Sequence, residues 1–311
     1  MKKVREIISP EEQKRRLKEV FDRIDNDPII QAYSLREETL DINMLILHDF
    51  AHEDVKWREA FYWFESICKE LNIEPTRSGI NGIEGKNYGN SVKSLTYKGG
   101  KNKLEKYNFE EIEDYDVYCM YDKKSDTCDI KSYFGIRFRE SFGFMKSYIS
   151  VMFEESLYPY NIENYKDLAK KLQSFTKAKY GYVHTIKLGL VPELYATGSH
   201  KLSIDGSFNW GSENSPLWYK KYNNKEGGYK IGDLREVYKL NFLSKEHLER
   251  EVETGLNLKY WIEQDSSRGS LSEVSEGFWS WSVPESRLIE LNQYLMSKNI
   301  VIAFDEYKDI K

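Results

Sequence analysis

Asp116 and the triplet Asp129-Ile130-Lys131 have the residue types and spacing of a hydrolytic metal site. Two carboxylates on neighbouring strands can hold Mg²⁺, and a lysine on the same strand face can support an attacking water. His48-Asp49-Phe50-Ala51-His52 offers a second arrangement. Two histidines four apart share one face of a helix, and an acid follows the first. Residues 79–86 supply a third, with the glycines and lysine from which phosphate-cradling loops are made.

Each arrangement has a plainer account. Asp116, Asp129 and Lys131 resemble the acid, acid-x-lysine pattern of metal-dependent nucleases of the PD-(D/E)xK superfamily, over about sixteen residues. The resemblance implies catalysis by those three residues. A charged hairpin with a solvated strand face produces the same spacing. The histidine pair lies where a strand hands over to a helix, which spoils the common face. Asp49 also stands where zinc proteases carry Glu, and no third ligand is singled out, so both histidines are read as structural or surface residues. Between Gly79 and Gly85 five residues intervene, and Asn87 follows Lys86, where a P-loop needs four and then Ser or Thr. That one-residue slip moves the backbone amides off a phosphate and leaves an ordinary glycine-rich loop. Ser199-His200 are sequence neighbours, which says nothing about a triad, and no G-x-S-x-G elbow occurs. Cys68, Cys119 and Cys128 form an odd set without CxxC spacing. Cys119 and Cys128 can face one another across a hairpin, which makes a disulfide conceivable. The reading adopted is three reduced, partly buried thiols. The chain is therefore expected to be no enzyme and to use neither metal nor cofactor.

The elements that must position these residues follow from periodicity. Ser9-Pro10-Glu11-Glu12 caps a first helix with Leu17, Val20, Phe21 and Ile24 on one face, ended by Asn26-Asp27-Pro28. A strand is expected at 40–47 and a helix at 53–71, with Trp57, Ala60, Phe61, Phe64, Ile67, Cys68 and Leu71 as its apolar stripe. Glycines at 79, 82, 85, 89, 99 and 100 predict a long loop or irregular strands over 75–100. Strands at 116–121 and 127–139 follow. In the second, Ile130, Phe134, Ile136 and Phe138 alternate with Asp129, Lys131, Arg137 and Arg139, the pattern of a half-exposed strand. Further strands are expected at 147–153, 182–190, 256–262, 277–283 and 300–304, and helices at 164–177, after Ser244 and at 284–297. Helices and strands do not alternate regularly, which gives an α+β fold with a largely antiparallel sheet. The chain divides as 1–160 and 161–311, or forms one integrated unit.

Composition limits the functions available. Hydrophobic residues are 40% and charged residues 31%, and the formal net charge is −5. That balance suits a globular protein with a charged surface and argues against a nucleic-acid groove running across it. No run of about 18 apolar residues occurs to span a membrane, and no apolar stretch follows the basic start, so the cytoplasm is the expected compartment. The chain holds 7 Trp, 23 Tyr and 15 Phe against 5 His and 3 Cys. Aromatics anchor interfaces because each offers a large contact area for little lost rotamer freedom. Phe208, Trp210, Trp218, Tyr219 and Tyr222 stand among Gly, Ser and Asn, as satellite core under a loop or as a partner platform. Glu110, Glu111, Glu113 and Asp114 form an acidic patch, either a solvated face or a docking surface for a basic partner. Trp279 and Trp281 share one strand face beneath the last helix.

The stretches Arg235-Glu236-Val237-Tyr238-Lys239-Leu240-Asn241-Phe242-Leu243-Ser244 and Gly277-Phe278-Trp279-Ser280-Trp281-Ser282-Val283-Pro284 resemble bacterial immunity proteins of the polymorphic-toxin and type VI secretion kind, over about a third of the chain. The resemblance implies a stoichiometric inhibitor that binds a toxin, or blocks a defence-system or phage protein, with no cofactor. Trp210, Trp218, Tyr219, Tyr222, Glu110, Glu111, Glu113 and Asp114 are the candidate partner-binding residues. Self-association is left open.

Overall fold

A computed structural model of the chain describes residues 41–82, 93–110, 112–120, 130–137, 147–187, 218 and 230–304. The expected first helix, Glu111, Cys128, Asp129, Trp210, Tyr219 and Tyr222 lie outside the described residues.

The fold is α+β, built on a ten-stranded sheet in which every strand pairing is antiparallel. Strand β1 (Asp41–His48) is its centre, with the sequence DINMLILH buried on both faces. On one side β1 pairs with β6 (Tyr148–Glu154), then β5 (Ile130–Arg137), β4 (Asp114–Met120), β2 (Arg77–Asn81) and the edge strand β3 (Lys93–Thr96). On the other side stand β7 (Tyr180–Lys187), β8 (Leu240–Ser244), β12 (Phe278–Ser282) and the opposite edge β11 (Ser270–Ser275). One sheet thus takes strands from both sides of residue 160.

The period-2 alternation of side chains sorts the strands into two layers. Leu45, Leu47, Ile149, Val151, Phe153, Phe134 and Ile136 face a first layer made by α1 (Trp57–Glu70) and α3 (Ile162–Thr176). There Trp57, Ala60, Phe61, Phe64, Ile67 and Cys68 of α1 are buried at helical spacing, and Leu71 is half-buried. Helix α3 starts where the Asn161 side chain accepts hydrogen bonds from the amides of Glu163 and Asn164 and ends at Lys177, whose φ is 52°. The opposite face carries Met44, Ile46, Tyr133, Tyr148, Tyr180 and Tyr182. It packs on Trp218, on residues 234–238, on α5 (Leu258–Glu263), on α6 (Leu288–Ser297) and on residues 300–304. Trp279 and Trp281 belong to this second layer with Leu291 and Leu295 of α6, the arrangement their alternation implies.

Several expectations change. Residues 97–106 form a helix, α2, in place of loop, with the Thr96 hydroxyl accepting from the Gly99 amide. Gly100 lets α2 lie on β2, because a Cβ there would sit 1.7 Å from the Ser78 hydroxyl oxygen; the glycine that reads as a breaker is a packing device. Residues 256–262 are not a strand. A two-residue bridge, β10 (Leu256–Asn257), pairs with β9 (Glu251–Glu253), and the Asn257 side chain then caps α5. The helix after Ser244 is one turn, α4 (Lys245–Leu248). Finally, β5 is not half-exposed over residues 132–136. Ser132, Tyr133, Phe134, Gly135 and Ile136 are all buried, because layers cover the sheet on both faces.

Candidate functional site

The second face of the sheet holds an unusual density of polar aromatic groups. His48 ends β1, and the register sets it opposite Tyr148 of β6 and Tyr180 of β7, so three rings share one face. The ring centroid of His48 is 5.8 Å from that of Tyr180, 5.6 Å from Tyr182 and 5.9 Å from Trp218. Its Nε2 lies 3.4 Å from the Tyr182 hydroxyl. All five residues are fully or almost fully buried.

Arg235 closes this cluster from the covering layer. Its backbone N–H donates to the Tyr180 hydroxyl at 2.9 Å and its Nη1 donates to the Tyr182 hydroxyl at 3.1 Å. Its guanidinium carbon is 5.7 Å from the Trp218 ring centroid, within cation–π range. Tyr182 stacks on Tyr238 at 4.2 Å. Burial pushes the Tyr180 and Tyr182 phenols up, and the Arg235 charge opposes that shift. Both therefore stay protonated at neutral pH.

Two further groups extend the face. The Tyr133 hydroxyl donates to Asp116 Oδ1 at 2.7 Å, across Gly135, where a Cβ would come within 2.3 Å of that hydroxyl. His247 stacks on Tyr180 at 5.2 Å, and its Nδ1 is 2.9 Å from the Ser244 hydroxyl. Burial pushes the His247 imidazole down to about 3, which keeps it neutral. Ser244 and His247 are both buried at the start of α4, so the pair is not an exposed nucleophile and base.

Phenols, imidazoles, an indole and one guanidinium packed against one another can fix the covering layer on the sheet with orientation that apolar contacts lack. The sequence points to part of this cluster. Tyr180-Gly181-Tyr182-Val183-His184 carries the period-2 signal that places its aromatic residues on one face, whereas nothing local marks Arg235 as their partner.

The sequence-predicted residues divide sharply. Trp218 is completely buried against His48 and Arg235, so it packs inside the protein and offers no surface to a partner. Asp114 is likewise completely buried, in β4. Glu110 is exposed and Glu113 half-buried. Asp116 is buried and opposes Gly135, while Lys131 lies four residues farther along β5. At a rise of about 3.3 Å per residue, the two stand about 13 Å apart along the strand. His48 ends a strand and His52 lies in a short 3₁₀ turn, donating to the Ile112 carbonyl at 2.6 Å, so they share no face. Among the described residues no group of three or more His, Cys, Asp and Glu is placed to hold a metal ion, and no helix is long and apolar enough to cross a membrane.

No family model matches the sequence, and no curated protein does. Among solved structures, the chain is similar to the Pseudomonas aeruginosa T6SS protein PA0821, with a TM-score of 0.50 and 12% identity. The match covers 85% of this chain and 76% of that one, and at this identity it shows a shared fold.

Proposed function

We propose that this chain is a non-catalytic binding factor of the immunity or inhibitor type, acting in the cytoplasm by occupying a toxin. The observation that carries the reading is the fold likeness to a T6SS protein over 85% of the chain. It agrees in kind with the resemblance of residues 235–244 and 277–284 to type VI and polymorphic-toxin immunity proteins. The geometry is compatible with binding. The titratable groups of the second face are engaged with one another inside the protein, and the exposed carboxylate of Glu110 offers charge to a basic partner. Trp210, Tyr219 and Tyr222 are the aromatic residues proposed as anchors in that interface.

Co-expression tests this reading. The product of the gene immediately upstream is induced in a sensitive bacterium with and without this chain. Rescue of growth, together with a stoichiometric complex on gel filtration, is expected. A toxic product that this chain neither binds nor neutralises would overturn the assignment.

A further inference from the structure

We propose that Cys68 and Cys119 are a reversible disulfide-forming pair, a modification site that staples α1 to β4. The two thiols are 51 residues apart in sequence, and their sulfurs lie 3.7 Å from one another. Cys68 projects from the buried stripe of α1, in its last turn, and Cys119 from the face of β4 that α1 covers. Each is almost fully buried, and both are free thiols. A disulfide needs the sulfurs at about 2.0 Å, with Cβ atoms about 3.8 Å apart. Thiols already in van der Waals contact reach that separation by small side-chain rotations. The pairing replaces the Cys119–Cys128 hairpin link that spacing alone makes conceivable.

The oxidising equivalent is a low-molecular-weight disulfide such as glutathione disulfide. One protein thiol loses its proton and attacks it; the reagent's S–S bond breaks and one glutathione leaves with that proton. The second protein thiol, deprotonated in turn, attacks the protein sulfur of the mixed disulfide and expels the second glutathione. Two protein thiols are oxidised and one glutathione disulfide becomes two glutathiones. Hydrogen bonding to Cys68 and burial push the Cys119 thiol up, so the thiolate is scarce in the folded protein and exchange there is slow. Closure belongs to chains that are folding or opening, and burial then shields the bond from reductants.

Refolding from guanidinium in a glutathione redox buffer tests this, followed by acid quench, thiol counting under denaturing conditions and peptide mapping. The wild-type chain is expected to lose two of its 3 thiols, with Cys68 linked to Cys119. The Cys128→Ser variant, which keeps both partners, should lose both. The closed form should melt about 5 °C or more above the reduced form, because a loop of about 50 residues is constrained in the unfolded chain. Retention of all thiols, a Cys119–Cys128 link, or a closed form that melts no higher than the reduced one would each overturn the proposal. The Cys68→Ser variant, which lacks one partner, should keep both remaining thiols; if it fails to fold, the Cys128→Ser count decides alone.

Discussion

The two faces of the central sheet are built from the same strands and solve different problems. The first face is apolar almost throughout: Leu45 and Leu47 on β1, Ile149, Val151 and Phe153 on β6, Phe134 and Ile136 on β5. The second, offset by one residue, presents His48, Tyr148, Tyr133, Tyr180 and Tyr182 beside Met44 and Ile46. Burial is equally complete on both, so the hydrophobic effect holds both layers. The first has Asn43 bonded to Glu155 and Thr185, whereas the second relies throughout on hydrogen-bonding partners supplied by distant residues, above all Arg235. The contrast makes the first face sensitive to volume and the second to polarity and pH.

The largest effect belongs to volume. Phe64 stacks on Phe134 at 5.0 Å between α1 and the sheet and is almost fully buried. Phe64→Ala should destabilise the protein by about 3–5 kcal/mol, through lost burial and the cavity left behind. Urea unfolding monitored by circular dichroism measures it; a loss under about 1.5 kcal/mol would mean that the first face is loosely packed.

A polar change on the second face should cost less while removing fewer atoms. Tyr182→Phe keeps the ring on Tyr238 and deletes the hydroxyl that receives Arg235 Nη1. A loss of about 2 kcal/mol is expected, the penalty for weakening the satisfaction of a buried donor. An unchanged unfolding midpoint would show that the hydroxyl contributes nothing beyond its ring, erasing the contrast between faces.

How readable each face is from sequence follows the same physics. Apolar stripes at helical or strand spacing announce α1, α3, β1 and the β4–β5 pair, because burial of one face needs only periodicity. The helix over residues 97–106 is hidden because Gly99 and Gly100 lower helix propensity locally, while the reason for Gly100 is the Ser78 side chain some twenty residues away in sequence. The same holds for Trp218. Its neighbours in sequence suggest a loop, but its burial is decided by His48 and Arg235. Tyr133 and Gly135, on the face of β5 that also carries Lys131, are buried for a related reason: alternation tells which residues share a face and not whether a second layer covers it.

Acid should weaken the second face selectively. His247 is neutral in the folded protein, its imidazole pushed down to about 3 chiefly by burial. The unfolded chain takes up that proton near the ordinary histidine value of about 6.5. The stability this group contributes is therefore full above about pH 6.5 and is lost as pH falls from there toward 3. At pH 5.5 the loss is about 1.4 kcal/mol relative to neutral pH. The His247→Gln variant has no such proton to bind. Its drop in stability between pH 7.5 and 5.5 should be smaller than that of the wild type by about the same amount. Equal drops in the two proteins would mean that His247 is protonated without penalty.

The smallest effect on stability is expected where neither face is touched. Glu110 lies beyond α2, exposed, its carboxylate accepting from the Asn108 side chain at 3.1 Å. Glu110→Lys should shift stability by no more than about 0.5 kcal/mol, as most exposed substitutions do. Its value lies in separating folding from binding, which Asp114 cannot do, because charge reversal at that buried position strikes the sheet itself. If a basic partner is drawn to this side, Glu110→Lys slows association and flattens its dependence on salt, since exposed charges act through a screened field. Dissociation should change little. Stopped-flow association at two ionic strengths, with a melting curve of the same sample, decides the matter. An unchanged association rate in a normally folded variant would remove the acidic side as a docking surface and leave the proposed anchors Trp210, Tyr219 and Tyr222 to define the interface.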